Sequence, residues 1–228
     1  MNQVKYIDLH IKEYKEAWDF QQDIQNRLIR AKTTGENPEA LPYLIFVEHP
    51  HVYTLGKSGQ ENNLLINPGF LASINATFYH TDRGGDITYH GPGQLVGYPV
   101  FDLDRLGIGA KTYIFRIEES IIALLKEFKI DSGRLEGATG VWIKKDEPPL
   151  MRKICAIGVK ISRGITMHGF ALNVNTNLSY FSWINPCGYT DKGVTSIEEE
   201  TGIKVDMEKV KALLSEKIAS LFEIILKT

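Results

Sequence analysis

Residues 83–99 read R-G-G-D-I-T-Y-H-G-P-G-Q-L-V-G-Y-P, with five glycines and two prolines in seventeen positions. Both residue types disfavour helix interiors and central strands, glycine through backbone entropy and proline through its missing N–H and fixed φ. The stretch therefore predicts a loop–strand wall whose value lies in backbone shape rather than packing. Gly84, Gly85, Gly91 and Gly93 permit tight turns and close approach of a ligand to the main chain. Arg83, Asp86, Thr88, Tyr89, His90 and Gln94 stand among them with hydrogen-bonding groups. A glycine-rich hairpin with solvated side chains is the plain alternative. Arg-Gly-Gly at one end and Tyr-His-Gly-Pro-Gly at the other argue against it, because a bare connector needs only the common turn dipeptides.

Upstream of the wall, Tyr14, Ala17, Trp18, Ile24, Leu28 and Ala31 stripe one face of a helix that stops at T-T-G-E-N-P. Residues 43–48 read as a buried strand, and H-P-H-V-Y-T-L-G as a turn into a second one. His49 and His51 flank a proline with no third ligand nearby, so they read as turn and surface groups rather than metal ligands. Residues 60–69 read as a loop, and residues 70–81 as short strand structure leading into the wall. Downstream, Ile114, Ile117, Ile121, Leu125 and Phe128 mark a helix with Glu118 and Lys126 outside its apolar stripe. Strands follow at 140–143, 153–161 and 166–174, broken by K-K-D-E-P-P-L and linked by Ser162-Arg163-Gly164 as a hairpin. Ser196 and Glu199 have capping-box spacing, closed by Thr201-Gly202. Val210, Leu213, Leu214, Ile218, Leu221 and Ile225 stripe a last helix that covers the sheet rather than a membrane. Strands and helices in segregated blocks predict an α+β fold, a mixed sheet flanked by helices.

A chain of 228 residues buries roughly 70–75% of the surface its unfolded form exposes, enough for one full core. No linker, repeat, low-complexity tract or long like-charge run divides it, so residues 1–228 read as a single domain, by default a monomer. The net charge of −2 gives none of the basic footprint expected of a nucleic-acid binder. The amino terminus M-N-Q-V-K-Y-I-D-L-H lacks a secretory apolar run, and no window approaches the ~20 apolar residues of a membrane span. A cytoplasmic protein is expected. In that reducing compartment Cys155 and Cys187 are too few for a disulfide framework and are judged as separate thiols.

Cys187 lies in W-I-N-P-C-G-Y, between a proline that fixes φ and a glycine that relaxes it, so its thiol is presented on a bend. Cys155, in I-C-A-I-G within a strand, reads as an inert packed thiol. A thiol of pKa near 8.5 is only a few per cent thiolate at neutral pH, so Cys187 as nucleophile needs a partner. His90, His168 and Lys153 are candidates. A papain-like set with Asn173 or Asn175 lacks the signature around the cysteine. Lys153 opens its strand, where it reads either as a snorkelling edge lysine or as a partly desolvated ammonium that favours a thiolate.

The stretch 83–99, the run K-I-C-A-I-G-V-K-I-S-R-G-I-T-M-H-G-F-A-L-N-V-N from Lys153, and N-P-C-G around Cys187 occur in one order over most of the chain. Together they resemble the bacterial lipoyl(octanoyl) transferase family. The resemblance implies the fold shared with biotin and lipoate protein ligases, and transfer of octanoyl or lipoyl groups from acyl carrier protein to a lysine of an apo lipoyl domain. Acceptors of that class are the lipoyl domains of 2-oxoacid dehydrogenase complexes and the glycine cleavage H protein; no cofactor or metal is implied. Carried across by residue, the thioester cysteine falls on Cys187 and the lysine that lowers its pKa on Lys153. The substrate-lining residues fall on Arg83, Gly84, Gly85, Asp86, Ile87, Thr88, Tyr89 and His90, on Ala156, Ile157 and Gly158, and on Gly169, Phe170 and Ala171. The chain departs from the family pattern in K-K-D-E-P-P-L before Met151 and in A-T-G-V-W, where members often show A-P-G-V. The rival readings are an ATP-dependent lipoate or biotin ligase of the same fold, and a non-catalytic lipoyl-domain binding module.

Overall fold

The structure is a computed structural model that describes residues 2–35, 39–144, 146–147, 150–185 and 193–227. Among these, the chain opens with β1 (Asn2–Ile11), α1 (Tyr14–Thr34), β2 (Tyr43–Glu48) and β3 (Val52–Leu55). Next come α2 (Pro68–Ser73), β4 (Thr77–His80), β5 (Ile87–His90), β6 (Gln94–Val100) and α3 (Ala110–Glu127). The second half runs β7 (Gly133–Leu135), β8 (Ala138–Ile143), β9 (Arg152–Ser162) and β10 (Ile165–Asn173), then β11 (Gly193–Val194), α4 (Ile197–Thr201), α5 (Met207–Phe222) and β12 (Ile224–Lys227). The large sheet has the order β12-β1-β2-β6-β10-β9-β8-β7, with β11 on β9, and a small sheet has the order β4-β3-β5. The α+β arrangement read from the sequence is present: a mixed sheet with helices on both faces.

Alternation along the strands sorts the core into two layers. Leu44, Phe46 and Leu95 point to the side packed by Ile117 and Ile121 of α3 and Leu214 and Ile218 of α5. Ile45, Val47, Val96, Tyr98 and Val100 point to the other, packed by Ala17, Ile24 and Leu28 of α1. Each fully buried aliphatic side chain contributes about 1.5–3 kcal/mol to this packing. The β9–β10 hairpin turns at Arg163 and Gly164, both at positive φ (50° and 80°), the two-residue connection that matches strand twist.

Four expectations need correction. β6 is a central strand despite Gly97 and Pro99. A Cβ at Gly97 would come 2.1 Å from the Phe170 ring, so the glycine makes room for that ring. Pro99 stands where the β6–β10 ladder is interrupted: His168 turns to φ +60° and sends its N–H to Gln21 Oε1 (2.9 Å), while the Pro99 carbonyl takes the Thr166 hydroxyl (2.6 Å). Phe70 belongs to a helix rather than a strand, because Asn67 caps its N–H (2.9 Å) and Pro68 sits in the first turn. Ile225 lies beyond α5, which ends at Phe222 with Glu223 (φ 55°) as its cap, and pairs through β12 in parallel with β1. Glu118 is buried rather than outside its stripe, accepting the Gly140 N–H (3.0 Å) and Arg134 Nε (2.9 Å).

Candidate active site

β5 joins β3 in antiparallel register, Val52 opposite His90 and Leu55 opposite Ile87, which lifts the glycine-rich wall off the large sheet. The wall is tied back by its loop: Gly84 donates its N–H to the Val159 carbonyl (2.9 Å). Arg83 is buried and donates through Nη2 to the Thr54 carbonyl (2.6 Å) and hydroxyl (2.9 Å). Between wall and sheet lies a cavity of about 290 Å³. Arg83, Gly85, Asp86, Ile87, Thr88 and His90 line one side; Ala156, Ile157 and Gly158 of β9, and Gly169, Phe170 and Ala171 of β10, line the other. Lys153 lines the same cavity. Ala156 faces Ala171 and Gly158 faces Gly169 across the strands, so the sheet there presents small residues.

Two expected lining residues are elsewhere. Gly84 is spent on the tie to Val159, and Tyr89 turns into the core of the small sheet. The Tyr89 ring stacks on Tyr180 (4.8 Å between centroids) and its hydroxyl shares a hydrogen bond with His51 Nδ1 (2.7 Å). This contact explains Gly91, since a Cβ there would lie 1.8 Å from the Tyr89 hydroxyl. Gly91→Ala is expected to cost about 1–3 kcal/mol of stability through overpacking, read as a lowered urea midpoint; an unchanged midpoint contradicts it. Cys187 lies outside the described residues. On the near side of that stretch Asn185 donates its N–H to the Asn63 carbonyl (2.8 Å), and on the far side β11 runs parallel to β9 with Val194 opposite Lys153.

Lys153 reaches the cavity because β9 carries a bulge. Val141 pairs with Cys155 but Trp142 pairs with Lys153, leaving one extra residue on β9. Ile154 and Cys155 both enter the α3-side core, while Lys153 and Ala156 line the cavity. Strict alternation puts Lys153 on the face of Cys155, so the sequence pattern alone misdirects it. Lys153 is not on a sheet edge: β9 lies between β8 and β10, and its Nζ sits 4.6 Å from the Trp142 ring centroid. Cys155 is fully buried, and burial pushes its thiol well up although the Lys153 charge pulls it down, in keeping with an inert packed thiol.

Both candidate histidines line the cavity, and burial favours the neutral form of each. His90 shares hydrogen bonds with Gln94 (2.8 Å) and Thr54 (3.3 Å), and burial brings its pKa down to about 3. His168 binds Asp82 Oδ1 (2.7 Å), but burial outweighs that carboxylate and lowers its pKa. His49 corrects its surface reading: it is fully buried between Tyr98 (2.8 Å) and the Lys12 carbonyl (2.7 Å), with its pKa lowered by burial to about 4. His51 is half-buried and stacks on Tyr180 at 4.3 Å. Asn173 lines the cavity, whereas Asn175 donates to the Val205 carbonyl (2.7 Å). Tyr14, Val96, Tyr98 and Trp142 are lining residues the sequence reading missed; Val96 and Tyr98 follow from alternation around Gly97 once β6 is taken as a strand. Among the described residues no group of three or more His, Cys, Asp or Glu gathers as a metal site, and no helix is long and apolar enough to cross a membrane.

The model of the family described as lipoyl protein ligase A/B catalytic domain matches residues 13–219. An octanoyltransferase of Bacteroides fragilis is 52% identical over 211 residues, 92% of this chain and 94% of its own length. One from Cytophaga hutchinsonii is 52% identical over 223 residues, 95% of this chain and 91% of its own. Among solved structures, the bi-partite lipoate protein ligase of Thermoplasma acidophilum superposes with a TM-score of 0.69 at 15% identity, covering 100% of this chain and 86% of that one. At that identity the likeness speaks for the fold, which is the ligase-like α+β fold expected from the motifs. With the match spanning both walls of the cavity, the chain belongs to the lipoyl protein ligase A/B catalytic domain family and is an acyltransferase of octanoyl or lipoyl groups.

Proposed function

We propose that this chain, with residues 1–228 as its catalytic unit, moves an octanoyl group from octanoyl-acyl carrier protein to a lysine of an apo lipoyl domain through a thioester on Cys187. The acceptors on this reading are the lipoyl domains of 2-oxoacid dehydrogenase complexes and the glycine cleavage H protein. The observation that carries it is the shared cavity: Lys153, the small-residue strands and the glycine-rich wall line one space. In an extended chain three bonds advance about 3.3–3.6 Å, so the seven C–C bonds of an octanoyl group reach about 8 Å. The strand from Lys153 to Gly158 extends about 16–17 Å at roughly 3.3 Å per residue, ample for that chain. Each methylene buried there is worth about 0.8 kcal/mol.

The cycle begins from a Cys187 thiolate and a Lys153 ammonium. The thiolate attacks the carrier thioester; the new C–S bond replaces the old one, and the departing carrier thiolate takes its proton from Lys153. The acceptor amine then attacks the enzyme thioester, an amide forms, the Cys187 thiolate leaves, and the amine's proton returns to Lys153. Thioester exchange is nearly isoenergetic and amide formation from a thioester runs downhill, so no ATP enters. Intact mass after incubation with octanoyl-acyl carrier protein alone tests the reading. One octanoyl group, labile to hydroxylamine, is expected without ATP. Transfer to an apo lipoyl domain with no such adduct sinks the covalent route, and a requirement for ATP and free octanoate favours a ligase. Stable binding of both proteins without any acyl transfer favours a binding module.

A further inference from the structure

Hydrogen bonds along the cavity wall run in a single direction. The Thr195 N–H donates to the Lys153 carbonyl (3.1 Å), and the Thr195 carbonyl, which only accepts, takes Asn173 Nδ2 (2.9 Å). Asn173 is thereby forced to turn Oδ1 the other way, toward Gln94 Nε2 (2.9 Å), whose second proton goes to the Tyr89 carbonyl (3.1 Å). Gln94 is left with Oε1 for His90 Nδ1 (2.8 Å), so that ring nitrogen carries the proton and Nε2 accepts from the Thr54 hydroxyl (3.3 Å). The Thr54 oxygen accepts Arg83 Nη2 (2.9 Å). Apart from the Gln94 branch to the Tyr89 carbonyl, each donor points from the Arg83 guanidinium toward the Lys153 carbonyl. Thr54, Arg83, His90, Gln94, Asn173 and Thr195 are all buried, where aligned bonds polarise one another and a broken link leaves unsatisfied groups. The neutral His90 described above is the form this relay needs.

We propose that Asn173 is a positioning residue of the transferase, joining the Gln94 amide to the Thr195 carbonyl and so fixing the β9 and β11 backbones at Lys153 against the wall that carries His90. The inference rests on the role given to Lys153 above. Among the described residues β11 is two residues long and is held on β9 by the Gly193 N–H on the Met151 carbonyl (3.1 Å) and the Thr195 N–H on the Lys153 carbonyl, to which Asn173 adds a tie from β10. The bulge at Lys153 makes the aim of its side chain depend on that backbone, and a misplacement near 1 Å costs a reaction roughly 10²-fold.

Asn173→Asp keeps the shape and the acceptor for Gln94, but its carboxylate cannot donate to Thr195, whereas its acid form can. Its kcat for octanoyl transfer is therefore expected to approach the parent's at acidic pH and to fall about tenfold to a hundredfold behind it as the carboxyl ionises, with KM for octanoyl-carrier protein little changed. Asn173→Leu loses activity at every pH. Among the described residues, His90 on β5, Arg83 on the wall and Lys153 on β9 line the cavity with Asn173, and Glu200 on α4 accepts the Thr195 hydroxyl and Arg152 of β9. All are common to parent and variant, so the rate ratio isolates position 173. Melting is followed for each variant so that assays run well below it. A ratio flat across pH overturns the proposal. Should Asn173→Asp fail to fold, the ¹⁵N shifts of His90 in the parent decide: an Nδ1-protonated ring is expected, and an Nε2-protonated ring reverses the relay and overturns it. An unaltered Lys153→Ala rate sinks the role of Lys153 and this inference with it; a Lys153→Ala loss beside a flat Asn173→Asp ratio sinks this inference alone.

Discussion

Cys187→Ala is expected to gain no octanoyl group and to bring transfer to background, a fall on the order of 10³–10⁶-fold, as for removal of a nucleophile acting within a unit. The size follows from the chemistry. On the proposed route a carrier thioester and a lysine amine held on two large proteins meet through the enzyme, and a thioester on Cys187 splits one difficult encounter into two easier ones. The other thiol is no substitute. Cys155 is buried in the α3-side core and burial keeps it protonated, so the sulfur is neither reachable nor ionised. Peptide mapping of the adduct is expected to find residue 187 and leave residue 155 unmodified. An adduct of undiminished yield in Cys187→Ala, wherever it sits, removes the cysteine from the mechanism.

Lys153→Ala is expected to slow formation of the adduct by about 10²–10⁴-fold, the usual contribution of a positioned proton donor and acceptor. The pH dependence carries a sign. Without the ammonium, Cys187 titrates as an ordinary thiol near 8.5, so the variant's rate climbs as pH rises through that value. On the proposed reading the Lys153 charge favours the thiolate in the parent, so its rate is expected to level off at lower pH. Lys153→Arg separates the two duties, since a guanidinium keeps the charge but does not give up its proton. It is expected to retain the early plateau and lose most of the rate. Stopped-flow release of carrier thiol measures both quantities, and a Lys153→Ala profile superimposable on the parent's dismisses the lysine.

What the sequence discloses and what it hides divide along physical lines. The α1 and α3 stripes, the β9–β10 turn and the Ser196 cap, whose side chain accepts the Glu199 N–H (3.1 Å), are local patterns, and all are found in the fold. The wall at 83–99 was legible from its glycines, whereas Ala156–Gly158 and Gly169–Ala171 on the facing strands were named only through the family resemblance. Long-range satisfaction was not legible. His49 looks like a turn residue until its partners, 37 and 49 positions away, are in place, and Glu118 looks solvated until Gly140 and Arg134 fold over it. The direction of Lys153 depends on a bulge in the register with β8, which no period-2 pattern announces. The α2 start was written in I-N-P-G-F, a cap residue followed by proline, but glycine and polar neighbours made it read as loop. β1 was overlooked because few of its side chains are fully buried, which blurs the alternation.

The parallel pairing of Asn2 with Ile224 and of Lys5 with Lys227 ties the first strand to the last. As the nascent chain is made, the outer row of β1 amides and carbonyls is left bare until more than two hundred further residues have emerged. An uncovered strand edge invites pairing with any other extended chain. In this molecule the cover for Asn2–Lys5 of that row is β12, which takes the place of β1 as the outer strand of the sheet.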